Sequence, residues 1–314
     1  MKLLLRSLWL LLGGLVFFIA VGAFIAWTPD APVDELKARW AKPPSRFVAL
    51  QGMQVHVRDE GPRADAVPIV LLHGTSASLH TWEGWAQGLA GQRRVIRFDL
   101  PGFALTGPQP QGDYSMAVYA KFVLGMLDAM GVSRCVLVGN SLGGQIAWST
   151  ALAAPQRVER LVLVDSGGYA VESQSVPLGF KIARTPGLRV LAQNLLPRGV
   201  VEGSVRNVYG HPERVTPELV DLYFDMTRRA GNRAALGQRM DQRDVSSVAR
   251  VGELKMPTLI LWGGQDKLIP LRYGQAFAEE IAGSKLVVFD DLGHVPHEED
   301  PLRTLAALQS FLQP

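Results

Sequence analysis

Residues 136–147, VLVGNSLGGQIA, pass from an apolar run through a glycine-flanked serine into a stretch with helical character. Gly139-Asn140-Ser141-Leu142-Gly143 is a G-x-S-x-G, and where that pattern follows a strand and opens a helix its serine occupies a strained turn that presents the hydroxyl. Glycines suit so tight a bend because side chains would collide in it. With 32 glycines in 314 residues a five-residue match arises readily by chance, so the weight comes from its place directly after the apolar run CVLV. A plain helix N-cap would not require both flanking glycines.

A serine hydroxyl is a poor nucleophile near neutral pH and needs a base within hydrogen-bond reach, itself oriented by a third group. Asp266 follows the apolar run and turn TLILWGGQ, and His294 follows KLVVFDDLG. The chain order Ser141, Asp266, His294 is the order in which a nucleophile elbow of this kind finds its partners. His297 is the competing histidine, and Asp165, closing the run RLVLV, is the competing acid; Asp290 and Asp291 read as solvated turn residues. Attack on a carbonyl also requires donors for the developing oxyanion, and the backbone N–H of Leu142, directly after the nucleophile, is the first.

The elements that must hold these residues are legible as alternation. The strand candidates are MQVHVR, VPIVLL, RVIRF, CVLV, RLVLV, TLIL and KLVVF. Only the first alternates with period two, as an edge hairpin does; the others are continuously apolar, as strands covered on both faces must be. Helices are predicted near 82–90, 115–130, 143–154, 272–281 and 302–311. This is an α/β pattern: a mostly parallel central sheet flanked by helices. Residues 169–250, 82 positions with no strong strand and several helix-like pieces, far exceed an ordinary connection and predict an inserted helical cap between core segments 47–168 and 251–314.

With these motifs in place the chain resembles the α/β-hydrolase fold family from about residue 47 to the C-terminus. The matching stretches are LLHGTSAS at 71–78, DLPGFALTG at 99–107, GNSLGG at 139–144, WGGQDKLIP at 262–270 and LGHVPHEEDP at 292–301. The resemblance implies Ser141 as nucleophile, His294 as general base and then acid, and Asp266 as the orienting acid. It also implies Thr75, with Ser76 as substitute, for the second oxyanion donor, and His73 as a brace of that loop. Asp99 and Gly102 shape a turn in which Ala104 departs from the glycine often found there. A serine at this position separates the chain from the similar haloalkane dehalogenases and epoxide hydrolases, which carry aspartate. Carboxylic esters, cleaved through an acyl-enzyme, are the implied small-molecule substrates. C–C hydrolases of ring-cleavage products are the alternative, although HGTSAS and Val295 depart from their HGxGPG loop and tryptophan. A catalytically inactive binding protein of the same fold is a third reading. Trp82 and Trp85 fit a pocket wall or one buried helix face equally, and Met226 and Met240 read as packing.

Composition narrows the partners. The chain is 47% hydrophobic, and residues 1–46 hold six Lys/Arg against three Asp/Glu, leaving 26 of each in the remainder, so its charge gives no nucleic-acid footprint. Six scattered histidines, one cysteine and no His-Glu-x-x-His give no metal-ligand spacing, and neither metal nor cofactor is expected. Cys135 reads as a buried structural thiol. Residues 8–27, LWLLLGGLVFFIAVGAFIAW, are free of charge over 20 positions, about 30 Å as a helix. They predict a transmembrane anchor within residues 1–28, in preference to a signal peptide cut after VGA, and a proline-bearing stalk over 29–46. The single-pass membrane placement then expected puts the hydrolase domain on the non-cytoplasmic side, resembling membrane-anchored monoacylglycerol lipases.

Overall fold

A computed structural model describes residues 2–242 and 244–313. The chain opens with helices α1 (Lys2–Ile25) and α2 (Val33–Trp40), and strands β1 (Arg46–Leu50) and β2 (Met53–Glu60) come next. Gln51 and Gly52, both at positive φ (50° and 78°), close these strands into a hairpin, the tight turn whose twist matches them. The apolar runs then supply β3 (Ile69–Leu72), β4 (Val95–Phe98), β5 (Cys135–Asn140), β6 (Val158–Val164), β7 (Thr258–Gly263) and β8 (Lys285–Phe289). Every residue of β3, β4, β5 and β7 is buried, which is why these runs do not alternate.

The eight strands form one sheet in the order β1-β2-β4-β3-β5-β6-β7-β8. The β1–β2 and β2–β4 pairs are antiparallel and all others parallel. In the parallel part, registers such as Leu72↔Gly139, Asn140↔Val164, Val164↔Leu261 and Gly263↔Phe289 bring the carboxyl ends of β3, β5, β6, β7 and β8 to one edge. That edge is where open parallel sheets place their sites.

Helices cover both faces. On one, α3 (Glu83–Leu89) and α13 (Pro301–Leu312) bury Trp85, Leu89, Leu305 and Leu308 against Leu71, Val136 and Val138. On the other, α4 (Met116–Ala129), α5 (Leu142–Ala153) and α11 (Arg272–Glu280) bury Phe122, Ile146, Trp148 and Phe277 against Leu72, Leu137 and Leu163. Burial pushes the Cys135 thiol up to about 12, so it packs as a small apolar group. Between β6 and β7 lie α6 (Leu178–Arg184), α7 (Pro186–Ala192), α8 (Arg198–Val208), α9 (Pro217–Arg228) and α10 (Asn232–Asp241), with a small core of their own around Val201, Val205, Val215 and Val220. We refer to these five helices as the cap.

The N-terminal expectation requires correction. Residues 2–25 are helical, yet among the described residues no helix is long and apolar enough to cross a membrane, so the expected single-pass anchor, its membrane partnership and the non-cytoplasmic placement built on them are withdrawn. The segment after α1 is seated on the cap. Trp27 bridges to Leu195, the Thr28 N–H donates to Asn194 O at 2.7 Å, and the Ala31 N–H donates to Arg228 O at 2.7 Å. Arg233 donates to Thr28 O at 2.7 Å and to Asp30 at 2.6 Å, and Arg39 and Trp40 both donate to Asp225, at 2.7 and 2.9 Å.

Breaking the Arg233–Asp30 pair tests this attachment. The Arg233 side chain is 7% exposed and Asp30 42%, so solvent screens one end only. Asp30→Ala should lower unfolding stability by roughly 1–2 kcal/mol, below the cost of breaking a fully buried pair, as read by urea denaturation.

Candidate active site

The turn after β5 builds the site. Ser141 has φ 55° and ψ −116°, a conformation costly for a residue with a Cβ, and α5 begins at the next residue. The Ser141 N–H donates to Val164 O at 3.0 Å, while its carbonyl accepts from Gln145 and Gly167 at 3.1 and 2.9 Å. A Cβ at Gly139 would fall on the carbonyl of Gly143, and one at Gly143 on the carbonyl of Leu72. Both glycines are therefore required by close backbone approach. Leu142, as the first residue of α5, holds one of the N–H groups a helix start leaves without an intrahelical acceptor.

The acid and the histidine come from the next loops along the edge. Asp266, in the turn after β7, is buried; its Oδ1 accepts from the Leu268 and Ile269 N–H groups, both at 2.8 Å. Its Oδ2 faces Nδ1 of His294 at 2.6 Å. With the proton on Nδ1, the other ring nitrogen is left to act as a base. The His294 backbone N–H donates to Val208 O of the cap at 2.7 Å, and His294 and Ser141 line the same cavity.

Thr75 also lines that cavity, in a loop after β3 held from beneath. His73 is fully buried; its Nε2 accepts from the Leu100 N–H at 2.9 Å, and Nδ1 lies 2.8 Å from Gly74 O, which fixes the proton on Nδ1. Burial holds this histidine below its ordinary range, so it stays a neutral brace. Asp99 accepts from the Leu79 and Leu105 N–H groups at 2.8 and 3.0 Å and meets His56 Nδ1 at 2.8 Å. Burial alone would raise Asp99, but His56, His73 and His80 around it bring it to about 2. Ala104 takes the positive φ (45°) that a glycine would adopt freely, with Asn232 donating to its carbonyl at 3.0 Å.

The competing acid, Asp165, lies beside Asp266 and His294, while the competing histidine lies elsewhere. His297 stacks on Trp82 with ring centroids 3.9 Å apart and meets Thr81 Oγ1 at 3.1 Å, outside the cavity. Trp82 and Trp85 belong to the core below the sheet, Trp85 donating to Thr304 at 2.9 Å. Two braces escape sequence reasoning. Asn140, the variable residue of the elbow, donates to Val164 O and His294 O at 3.1 and 3.0 Å, tying the serine turn to the histidine loop. Glu299 accepts from the N–H groups of Gly293, Gly210 and His211 at 2.9, 3.0 and 2.6 Å, joining that loop to the cap.

The cavity itself occupies about 1030 Å³ counting its open mouth, between Ser141 and His294 on the sheet side and all five cap helices above. Its walls are mostly aliphatic: Ile182, Leu196, Val201, Val205, Leu236 and Leu268 among them. The polar residues that the cap contributes to the wall turn to protein partners. Arg189 pairs with Asp241 at 2.6 Å, Arg233 with Asp30, Tyr223 with Glu298 at 2.9 Å, and Ser204 and Thr227 donate to carbonyls one helical turn back. A second, more polar recess of about 750 Å³ opens from the other side of Ser141 and contains Gln145, Arg184, Arg239, Met240 and Asp244.

The family with the alpha/beta hydrolase fold matches residues 67–301, three quarters of the chain. This protein belongs to that family. 2-Hydroxymuconate semialdehyde hydrolase of Pseudomonas putida is 30% identical to this α/β-hydrolase over 279 residues, spanning 85% of this chain and 93% of that protein. A 2-hydroxy-6-oxononadienedioate/2-hydroxy-6-oxononatrienedioate hydrolase of Comamonas testosteroni is 27% identical over 275 residues, spanning 80% and 90%. Among solved structures, a membrane phospholipase A described as a bacterial virulence factor superposes with a TM-score of 0.74 at 25% identity, covering 99% of this chain and 98% of that one. A thermophilic esterase from Thermogutta terrifontis gives 0.70 at 26% identity, covering 85% and 96%.

Asp266→Asn should leave a folded protein whose kcat falls by ~10³-fold or more, since an amide favours the wrong imidazole tautomer. Steady-state kinetics beside a circular-dichroism melt checks both halves.

Proposed function

We propose that this α/β-hydrolase is a serine esterase that cleaves carboxylic esters joining an apolar acyl chain to a polar alcohol. The observation that carries the reading is the aliphatic cavity that ends on Ser141 and His294, with the charged residues of its cap wall already paired. An acyl chain gains from such a wall about 0.8 kcal/mol per buried methylene, while a charged group there would lose its hydration without a partner. The polar recess on the other side of Ser141 suits the alcohol.

In this reading His294 Nε2 takes the Ser141 proton as Oγ attacks the ester carbonyl, and Asp266 steadies the imidazolium that forms. The N–H groups of Leu142 and Thr75 receive the oxyanion, each contributing about 3 kcal/mol to the barrier. His294 returns the proton to the departing alcohol, and water, activated by the same histidine, then releases the acid. The similarity to 2-hydroxymuconate semialdehyde hydrolases supports a second reading, C–C cleavage of a carboxylated dienone. Against it, the two cationic groups in the cavity wall, Arg189 and Arg233, already face Asp241 and Asp30.

Ser141→Ala should abolish hydrolysis of p-nitrophenyl esters and labelling by a fluorophosphonate in a protein that melts like wild type. Wild-type turnover of that variant would refute the serine mechanism, and faster turnover of a carboxylated dienone than of any ester would transfer the assignment to the C–C reading. A side chain that fills the acyl cavity gives a sharper test of substrate class. Val205→Trp should lower kcat/KM for esters of ten or more carbons by about 10–100-fold while sparing acetate and butyrate esters, as loss of several methylene contacts requires.

A further inference from the structure

One buried acid next to this machinery has no part in the catalytic steps of Ser141, His294 and Asp266. Asp165 directly succeeds β6, is wholly buried, and has φ 43°, in the left-handed region that a residue with a Cβ enters at a cost. Its Oδ1 accepts from the Gly263 N–H at 3.0 Å, whereas Oδ2 has no hydrogen-bond partner of the ordinary donor kinds among the described residues. An oxygen of Asp165, an oxygen of Asp266 and a ring nitrogen of His294 lie within 4.8 Å of one another.

Two carboxylates in so small a buried space cannot both be charged, and the pair holds one proton. The surrounding donors decide where. Asp266 is answered by the N–H groups of Leu268 and Ile269 and by His294, but Asp165 by a single N–H. The charged form therefore belongs to Asp266. Burial first, then the charge of Asp266, raises the Asp165 carboxyl well above the usual carboxylate range, and Glu299 adds in the same direction. His297, beyond His294, is kept neutral by its own burial and offers Asp165 no compensating charge.

We propose that Asp165 is a positioning residue whose Oδ2–H donates to Asp266, so that an acid–carboxylate pair, not a lone aspartate, orients His294. The proposal rests on the proposed roles of Asp266 and His294 in the esterase reading. The donated hydrogen bond fixes the plane of the Asp266 carboxylate and draws part of its charge away from the imidazole.

Asp165→Asn preserves the arrangement, since the amide oxygen can accept from Gly263 while the NH₂ donates to Asp266. Its kcat and pH profile should stay within about twofold of wild type. Asp165→Val removes the donor; kcat should drop roughly tenfold, and the acid limb of the kcat/KM profile should move to higher pH as Asp266 grips the imidazolium more strongly. Linkage supplies a readout independent of substrate. Above about pH 4 the unfolded chain releases the proton that folded Asp165 keeps, so wild type loses stability relative to Asp165→Asn as pH rises above the ordinary carboxylate range. The difference in melting temperature between the two proteins should therefore grow with that rise. A flat difference would mean that Asp165 is charged in the fold, and would overturn the proposal. So would an Asn variant as impaired as the Val variant, or a folded Val variant with unchanged kcat and pH profile. Because the melting comparison uses no substrate, a wild-type protein inactive on esters would count against the functional reading and leave this test intact.

Discussion

The backbone turn at Ser141 is the constraint on which the rest of the molecule depends. A non-glycine residue in that conformation costs on the order of 1–3 kcal/mol and persists only where its surroundings leave it no alternative. Here β5 and α5 supply them. β5 is buried at every residue in the middle of the sheet, α5 is almost wholly buried above it, and only glycine at 139 and 143 lets the two close up. The hydroxyl is thus projected at the carboxyl edge of the sheet. Parallel pairing then sends the loops after β3, β6, β7 and β8 to the same edge, so the remaining groups need only short loops to reach it.

Those loops would be mobile if their buried polar groups were left to water, and they are not. Three carboxylates, Asp99, Asp266 and Glu299, each accept two or more backbone N–H groups, and each fixes a different loop of the site. A buried charge is tolerable only with such partners. The arrangement also serves electrostatic catalysis, because donors and dipoles fixed before the reaction need not reorganise during it. Asp165 stands apart in having one N–H donor, which is why its carboxyl answers burial by holding a proton.

Much of this was legible in the sequence because it is local. Continuous apolar runs marked the covered strands, and the glycine spacing marked the turn. β1 carries no such mark: Arg46–Leu50 is an edge strand with no residue fully buried, so its pattern is set by its pairing with β2 and not by a core. Trp82 and Trp85 share a spacing that a pocket wall and a buried helix face both produce, and the sheet face beneath α3 decided between them. The braces Asn140 and Glu299 were invisible because their partners are backbone groups far along the chain. Composition reads residues 29–46 as a stalk, but the hydrogen bonds that join Asp30, Ala31 and Arg39 to Arg233, Arg228 and Asp225 carry no local signature. Counting residues makes the long charge-free run a span, whereas among the described residues no helix is long and apolar enough to cross a membrane.

The cap is not coupled evenly to the catalytic edge, and this limits how the cavity can admit a chain. Val208, at the end of α8, accepts the His294 N–H, and Glu299 holds Gly210 and His211 of the cap together with Gly293 of the histidine loop. Tyr209 and Tyr223 add hydrogen bonds to Glu298 at 3.1 and 2.9 Å. Any displacement of α8 or α9 would thus pull His294 away from Asp266. α6 and α7 carry Leu178, Leu188 and Val190 at 53, 48 and 63% exposure, and they are tied to other cap helices by the Gly179 N–H to Ser204, by Arg233 to Ala192 O and by the partly exposed Arg189–Asp241 pair. Such a surface pair contributes little to stability. Through α8 and α9 the cap that walls the aliphatic cavity is thus tied to the loop that carries His294.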